Sequence, residues 1–274
     1  MEVVRTNDSS EIDFRKKFEL EGKVIIITGG SGLIGKAFAE AVCQYGGSVV
    51  IADIPKAEPR DFAEQLENKY GRKMVGFELD VAVREDVMKL RDDVVKAFGR
   101  IDGLINSHQN KTARFFANFE EYTDEDWDAV IETNLKGTFL TCQVIGGWMA
   151  NNSGGSIINI PSTYSVVAPN QNLYTGTNLG CPAAYSASKG GVMALSQYLA
   201  TYWSTRNVRV NQITPHGVWN NHQERFEQNF SGLSPLGRMS YSHEVAGAAL
   251  FLLSDASSYV TGHNLIVDGG WTTW

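Results

Sequence analysis

From Val24 the chain runs through four consecutive β-branched residues, Val24-Ile25-Ile26-Ile27, directly into Thr28-Gly29-Gly30-Ser31-Gly32-Leu33-Ile34-Gly35. A strand that is apolar at every position is buried on both faces, as in a parallel sheet held between two layers of helices. A helical pattern follows to Tyr45, so the glycines form a strand-to-helix corner. Without side chains in the way, such a corner brings the free amides of a helix N-terminus against a pyrophosphate. Gly29, Ser31, Gly32, Leu33, Ile34 and Gly35 are therefore the expected phosphate-side residues. The next strand, Ser48 to Asp53, ends in an acid 18 residues after Gly35. A carboxylate there accepts hydrogen bonds from both adenosine ribose hydroxyls and repels a 2′-phosphate. The expected cofactor is NAD, with NADP disfavoured, although Lys36, Lys56 and Arg60 lie nearby.

The alternation continues along the chain. A helix near 57–70 leads to a strand near 74–79 closed by Asp80, and a helix near 85–98 leads to Asp102-Gly103-Leu104-Ile105-Asn106. A long helix is expected over 124–149, a fifth strand over 155–160, a sixth over 209–214, a helix over 243–253 and a last strand over 264–267. Strands alternating with helices predict an α/β fold, a parallel sheet with helices on both faces. No repeat or linker divides it. The expected organisation is an N-terminal arm over 1–20 and one dinucleotide-binding catalytic domain over 21–274, with a substrate loop over about 215–240.

Pro182 suits the first turn of a helix that carries Tyr185 and Lys189 to about Ser204. Residues four apart share one helix face, so an ammonium group lies close to a phenol and favours its ionised form. That makes the phenol a usable acid or base. The spacing alone occurs often by chance; the glycine loop and Asp53 give it a hydride carrier to work with.

Taken together, these stretches resemble the single-domain short-chain dehydrogenases/reductases, from Leu20 to the C-terminus. The resemblance rests on Thr28 to Gly35, Asp80-Val81, Asp102 to Asn106, Asn134-Leu135-Lys136-Gly137, Asn159-Ile160-Pro161-Ser162, Tyr185 to Lys189, Pro215, and Gly262 to Gly270. It implies a doubly wound, Rossmann-type sheet of seven parallel strands and a catalytic group of Asn134, Ser162, Tyr185 and Lys189. It also implies a cofactor lying across the carboxyl ends of the strands, with Asp80 and Val81 at the adenine and Asn106 on the ribose side. Pro215 and Val218, with Tyr185 and Lys189, would complete its contacts. In that scheme Tyr185 exchanges a proton with the substrate oxygen and Ser162 hydrogen-bonds the same oxygen. Lys189 lowers the tyrosine pKa and binds the nicotinamide ribose, while Asn134 holds a water that links Lys189 to solvent.

Several positions depart from the family pattern. Leu33 replaces the last-but-one glycine of the loop, giving T-G-G-S-G-L-I-G, which resembles extended relatives that modify sugar nucleotides. The usual N-N-A-G is Asn106-Ser107-His108-Gln109, the glycine after Pro215 is His216, and Pro161 precedes Ser162. The interval from Ser162 to Tyr185 is about ten residues longer than is usual, and its polar insertion spans Asn170 to Asn178. That insertion is similar to a bacterial subgroup associated with surface-glycan and flagellin-sugar biosynthesis. His108, His216, Trp219, Asn172 and Tyr174 are the expected substrate-side residues, joined by Asn220, Asn221 and His222. Amides, imidazoles and hydroxyls beside an aromatic suit a sugar, sugar phosphate or polyol, oxidised at a secondary alcohol.

With 24 Lys and Arg against 31 Asp and Glu, the net charge is −7, and there is no long basic run. Nucleic acid and anionic membrane are thereby excluded as partners. Three cysteines without C-x-x-C spacing, and a polar start with no apolar signal region, predict a cytoplasmic protein. The five histidines have no metal-ligand spacing, so no metal is expected. The two long helices near 124–149 and 183–204 and the tail Trp271-Thr272-Thr273-Trp274 point to a homo-oligomer, a tetramer before a dimer. Two other functions are compatible with these residues: a dinucleotide-binding sensor without turnover, and a sugar-nucleotide epimerase or lyase that recycles its NAD.

Overall fold

The computed structural model describes residues 12–177 and 179–274. Residues 1–11 of the expected arm and Asn178 of the insertion lie outside them. The seven strands are β1 (Val24–Thr28), β2 (Ser48–Asp53), β3 (Val75–Glu78), β4 (Gly103–Asn106), β5 (Gly155–Asn159), β6 (Val208–Pro215) and β7 (Asn264–Val267). All pair in parallel, in the order β3-β2-β1-β4-β5-β6-β7. The parallel sheet expected from the strand-helix alternation, and the doubly wound seven-stranded form that the resemblance implies, are thus present.

Each face of the sheet carries its own apolar layer, set by the two-residue period of the strands. Ile25 and Ile27 point into one layer with Phe38 and Val42 of α1 (Leu33–Gln44), Leu66 of α2 (Pro59–Tyr70) and Val245 and Ala249 of α9 (Ser242–Leu253). Val24 and Ile26 point into the other, with Val87 and Leu90 of α3 (Arg84–Phe98) and Leu199 of α7 (Ala183–Tyr202). All five residues of β1 are buried, as the unbroken β-branched run requires. Leu20 is fully buried in the first layer, and Phe18 packs on Phe251 with ring centroids 6.4 Å apart. The folded domain therefore begins before residue 21, because these side chains close the end of that layer.

The long helix expected over 124–149 is continuous but not uniform. It comprises α4 (Asp124–Ile131), α5 (Gly137–Thr141) and α6 (Gly147–Ala150), joined by π-turns at Glu132–Lys136 and Cys142–Gly146. Helix positions across these joints keep right-handed helical dihedrals. Asn134 lies in the first π-turn, a local widening that turns backbone carbonyls away from their usual partners. Gly146, in the second, leaves room for Trp203: a Cβ there would sit 2.7 Å from the indole.

The excursion after β6 contains α8 (Glu224–Leu233), with Phe230 buried beneath it. Phe230 fixes the path of the chain at Gly217, which has φ +57° and where a Cβ would meet the phenyl ring at 1.9 Å. Trp271 of the tail is buried within its own subunit, stacked on Phe230 at 4.9 Å, and only Trp274 remains exposed. This corrects the expectation that both tail aromatics face a partner.

Candidate active site

The sheet order reverses between β1 and β4, and the crevice at such a reversal is where parallel sheets bind ligands. A cleft of about 590 Å³ opens there, over the carboxyl ends of the strands. One wall is the glycine corner. Gly29 has φ +67°, and a Cβ on it would lie 2.7 Å from the backbone of His108. Helix α1 comes so close to β1 that a Cβ on Gly35 would be 2.2 Å from the Gly29 oxygen. Gly32 caps α1 without a side-chain hydrogen bond, which leaves first-turn amides open to an anion. Asp53 accepts from the Ser31 amide at 3.0 Å and from the Ile54 amide at 2.9 Å, so the carboxylate that lines the cleft also fixes the loop. Leu33 stands 43% exposed on the cleft wall where the family has glycine.

Tyr185 and Lys189 line the opposite end. Lys189 Nζ donates to the Ile160 carbonyl at 2.7 Å and lies 5.6 Å from the Tyr185 ring centroid. Burial pulls the Lys189 pKa down to about 8. Burial also raises the Tyr185 phenol above its ordinary value, with a hydrogen bond to Ser162 pulling the other way. The expected depression of the phenol by Lys189 is therefore not met by these residues alone. The ammonium is over the ring and bound to a carbonyl, and desolvation outweighs the hydroxyl contact. Ser162 also accepts from the Tyr164 amide at 3.3 Å. Asn134 is buried behind the cleft; its Nδ2 donates to Ser188 Oγ at 3.2 Å and its Oδ1 accepts from the Asn110 amide at 2.8 Å.

The model of a protein family described as enoyl-(acyl carrier protein) reductase matches residues 31–272. The chain belongs to the short-chain dehydrogenase/reductase family. It is 38% identical over 269 residues to D-threitol dehydrogenase of Mycolicibacterium smegmatis, covering 95% of this chain and 96% of that one. It is 35% identical over 264 residues to NAD-dependent glycerol dehydrogenase of Listeria innocua serovar 6a, covering 94% and 97%. A gluconate 5-dehydrogenase of Burkholderia cenocepacia J2315, solved with NADP and tartrate, superposes with a TM-score of 0.85 at 28% identity, covering 94% and 98%. This dehydrogenase/reductase is an oxidoreductase of alcohols and ketones that uses a nicotinamide dinucleotide. Its own residues fit that cofactor: the glycine cradle that any Cβ would fill, the uncapped α1 and the strand-end carboxylate all face one cleft.

Gly29, Gly32, Leu33, Ile34, Gly35 and Asp53 of this dehydrogenase/reductase line the cleft, as do Asp80, Val81, Pro215 and Val218. Ser31 contributes its amide to Asp53, and its buried hydroxyl has no partner among the described residues. Asn106 is not a wall residue. Its side chain is turned into the sheet, donating to Asn159 Oδ1 at 2.8 Å with its Oδ1 3.2 Å from Thr28 Oγ1, because strand-end polar groups between β1, β4 and β5 need partners. His216 is also absent from the cleft. Nδ1 meets Thr163 Oγ1 at 2.6 Å, and the ring packs at 4.3 Å on Trp271 and 4.9 Å on Phe230. Asn172 is exposed on the insertion, and Trp219 is 40% exposed with its amide bonded to the Ser240 carbonyl. Tyr174 meets Tyr164 hydroxyl to hydroxyl at 2.6 Å, and Tyr164 in turn lies edge-on to Tyr185. Of the substrate-side set only His108 borders the cleft, together with Asn220 and His222. Ile160, Asn110 and Tyr164 carry contacts of the site that the linear pattern did not single out. Nothing in their residue types marks them, because two act through backbone atoms and the third through a ring on a turn.

Arg114 is taken up by the Glu121 carbonyl and by Asp126, whereas Lys111 lies on the cleft wall. Among the described residues no cluster of His, Cys, Asp and Glu has the arrangement of a metal site.

Two expected outcomes follow from this geometry. Gly35→Ala forces α1 away from β1, so dinucleotide binding measured by fluorescence titration falls below detection while far-ultraviolet circular dichroism is retained. The second concerns acid. Burial lowers the His108 pKa to about 3 and that of His216 to about 4, so both are neutral in the folded chain. The unfolded chain, with histidines near 6.5, binds those protons first. Stability is thus full above pH 6.5 and falls as pH drops toward 4, by on the order of a few kcal/mol, visible in urea midpoints.

Proposed function

We propose that this enzyme oxidises a secondary alcohol of a small polyol or sugar with NAD, using Tyr185 as the base. The observation that carries the cofactor choice is Asp53, whose carboxylate stands on the cleft wall where an adenosine ribose would lie. Arg60, the nearest arginine in sequence, is paired with Glu78 at 3.3 Å instead of facing Asp53. The substrate class is supported by the polar mouth formed by Gln109, Asn110, Lys111, Asn220 and His222, and by the polyol names of the relatives at 35% and 38% identity.

When bound, the cofactor supplies a hydride acceptor at the nicotinamide. The protein does the rest. Tyr185 takes the hydroxyl proton as the carbon–hydrogen bond breaks, and in reduction it returns that proton to the carbonyl oxygen. Ser162 donates to the same oxygen, where charge accumulates in the transition state. Lys189, fixed by the Ile160 carbonyl, keeps a positive charge near the phenol below about pH 8 and would hold the nicotinamide ribose. Asn134 ties this helix to the loop after β4 through Ser188 and Asn110.

The enzyme assembles as a homotetramer in a reducing interior, in the reading we favour. Tyr198 and Tyr202, 60% and 56% exposed and stacked at 5.6 Å on α7, offer an aromatic face to a second copy, and Cys43, Cys142 and Cys181 are all unpaired. Light scattering at four times 30.2 kDa is the expected result, and a monomer would refute it.

The deciding experiment is an NAD-reduction screen over glycerol, D-threitol, other short polyols, sugars and sugar phosphates. NADH appears at 340 nm with at least one of them, and NADP is poorer. Tyr185→Phe lowers kcat by about a thousandfold or more and leaves NAD affinity unchanged. Turnover of apolar ketones but of no polyol or sugar would overturn the substrate class, and an NADP preference would overturn the role of Asp53.

A further inference from the structure

His108 stands where the family pattern has a small residue, wedged between the glycine corner and the long helix. A Cβ on Gly29 would lie 2.7 Å from its backbone, and a Cβ on Gly137 would lie 3.2 Å from its Nε2. Both ring nitrogens are engaged. Nδ1 is 2.7 Å from Thr28 Oγ1, and Nε2 is 3.3 Å from Thr138 Oγ1. The single proton of Thr138 is already committed, because Oγ1 donates to the Asn134 carbonyl at 2.7 Å. Thr138 must then accept from His108, so Nε2 carries the ring hydrogen and Nδ1 accepts from Thr28, whose other acceptors, Asn106 Oδ1 and the Ile105 carbonyl, are farther away at 3.2 and 3.4 Å.

These contacts fall on the π-turn Glu132–Lys136. There the Gly137 amide donates to Glu132, one residue further back than in an α-helix, so the carbonyls of the turn are displaced from their helical partners. A side chain meets one of them, Thr138 at Asn134. Asn134 in turn holds Ser188, which sits between Tyr185 and Lys189. A directed hydrogen-bond chain therefore runs from β1 through Thr28, His108 and Thr138 to the Asn134 carbonyl, and from the Asn134 amide to the catalytic helix.

We propose that His108, acting through Thr138, is a positioning residue that fixes the Asn134 π-turn against the glycine corner, so that the Tyr185–Lys189 helix is held in register with the cofactor cleft. The imidazole acts through its hydrogen bonds and not on the transferred proton, and its neutral state is part of the device. The low pKa described above keeps that state over the working pH range. A ring that gained a second N–H would lose the acceptor for Thr28 and reverse nothing useful in exchange. The proposal rests on the catalytic assignment of Asn134, Tyr185 and Lys189.

The test uses the full-length enzyme with His108→Ala, His108→Gln, Thr138→Val and the Ala/Val double variant. Thr138→Val keeps volume and removes the hydroxyl, and His108→Gln restores an N–H near the Nε2 position. Thr138→Val and His108→Ala each lower kcat for the best polyol of the screen by about tenfold to a hundredfold, as a small misplacement of reacting groups does. KM for that polyol changes by less than threefold, His108→Gln recovers most of the lost kcat, and the double variant is no worse than the poorer single one. Independent of turnover, ring-¹⁵N-labelled histidine shows one imidazole, absent from His108→Gln, as the neutral Nε2–H tautomer from pH 5 to 8. Folded Thr138→Val with unchanged kcat, additive losses in the double variant, or a His108 ring that titrates near pH 6.5 would each overturn the proposal. A wild-type enzyme inactive on every alcohol would instead refute the polyol reading, and the tautomer measurement would still decide the role of His108.

Discussion

The Gly29 carbonyl oxygen occupies space that any Cβ on residue 35 would need, with only 2.2 Å between them. That contact sets how closely α1 lies on β1, and the rest of the cleft is built from it. With the helix pressed against the strand, its first-turn amides open toward the crevice, and the Ser31 amide reaches the Asp53 carboxylate across from β2. One carboxylate thus serves the loop and the cleft wall together. A charged hydrogen bond of this kind, worth about 1.5–3 kcal/mol, makes the shape of the loop depend on a carboxylate of the cleft wall.

Polar groups dominate the second half of the site, and burial dictates their arrangement. Asn106, Asn159, Ser196 and Thr28 pair with one another at the carboxyl ends of β1, β4 and β5, where an unpaired amide would cost more than a hydrogen bond returns. Lys189 is treated in the same way: a buried ammonium takes the Ile160 carbonyl, and its remaining donors face the cleft. The helix that opposes α7 is widened at Glu132–Lys136, which places Asn134 within reach of Ser188 without breaking the helix. Helix α7 is therefore held by two elements, the end of β5 at Lys189 and Ser196 and the widened helix at Ser188.

The cofactor half of this arrangement was readable because its constraints are local. A glycine corner after an all-apolar strand, an acid at the end of the next strand and a Tyr–Lys pair four residues apart each act within one strand-helix unit. The substrate half was not readable in the same way. His216 follows β6 in sequence as closely as Val218 does, yet its ring turns under Thr163 and packs on Phe230 and Trp271, residues 14 and 55 positions away. Tyr174 and Asn172 belong to one short turn, Gln171–Tyr174, but the first points to Tyr164 and the second to solvent. Trp271 looks like an exposed tail residue until α8 lies across it. The π-turns left no mark in a pattern that reads as one helix from Asp124 onward.

By itself the sequence determined the parallel sheet, the order of its strands and helices, the dinucleotide cleft and the Tyr185–Lys189 pair on its wall. Those follow from backbone sterics and from the periodicities of burial, which neighbouring residues carry. Only the tertiary structure decided which polar side chains face the cleft and which are spent inside. That choice depends on partners brought together by packing, and a buried nitrogen or hydroxyl turns toward whichever partner lies within hydrogen-bond distance. His108 and His216 are the same residue type, one after β4 and the other after β6, and packing alone made one a link toward α7 and the other a support for the loop after β6.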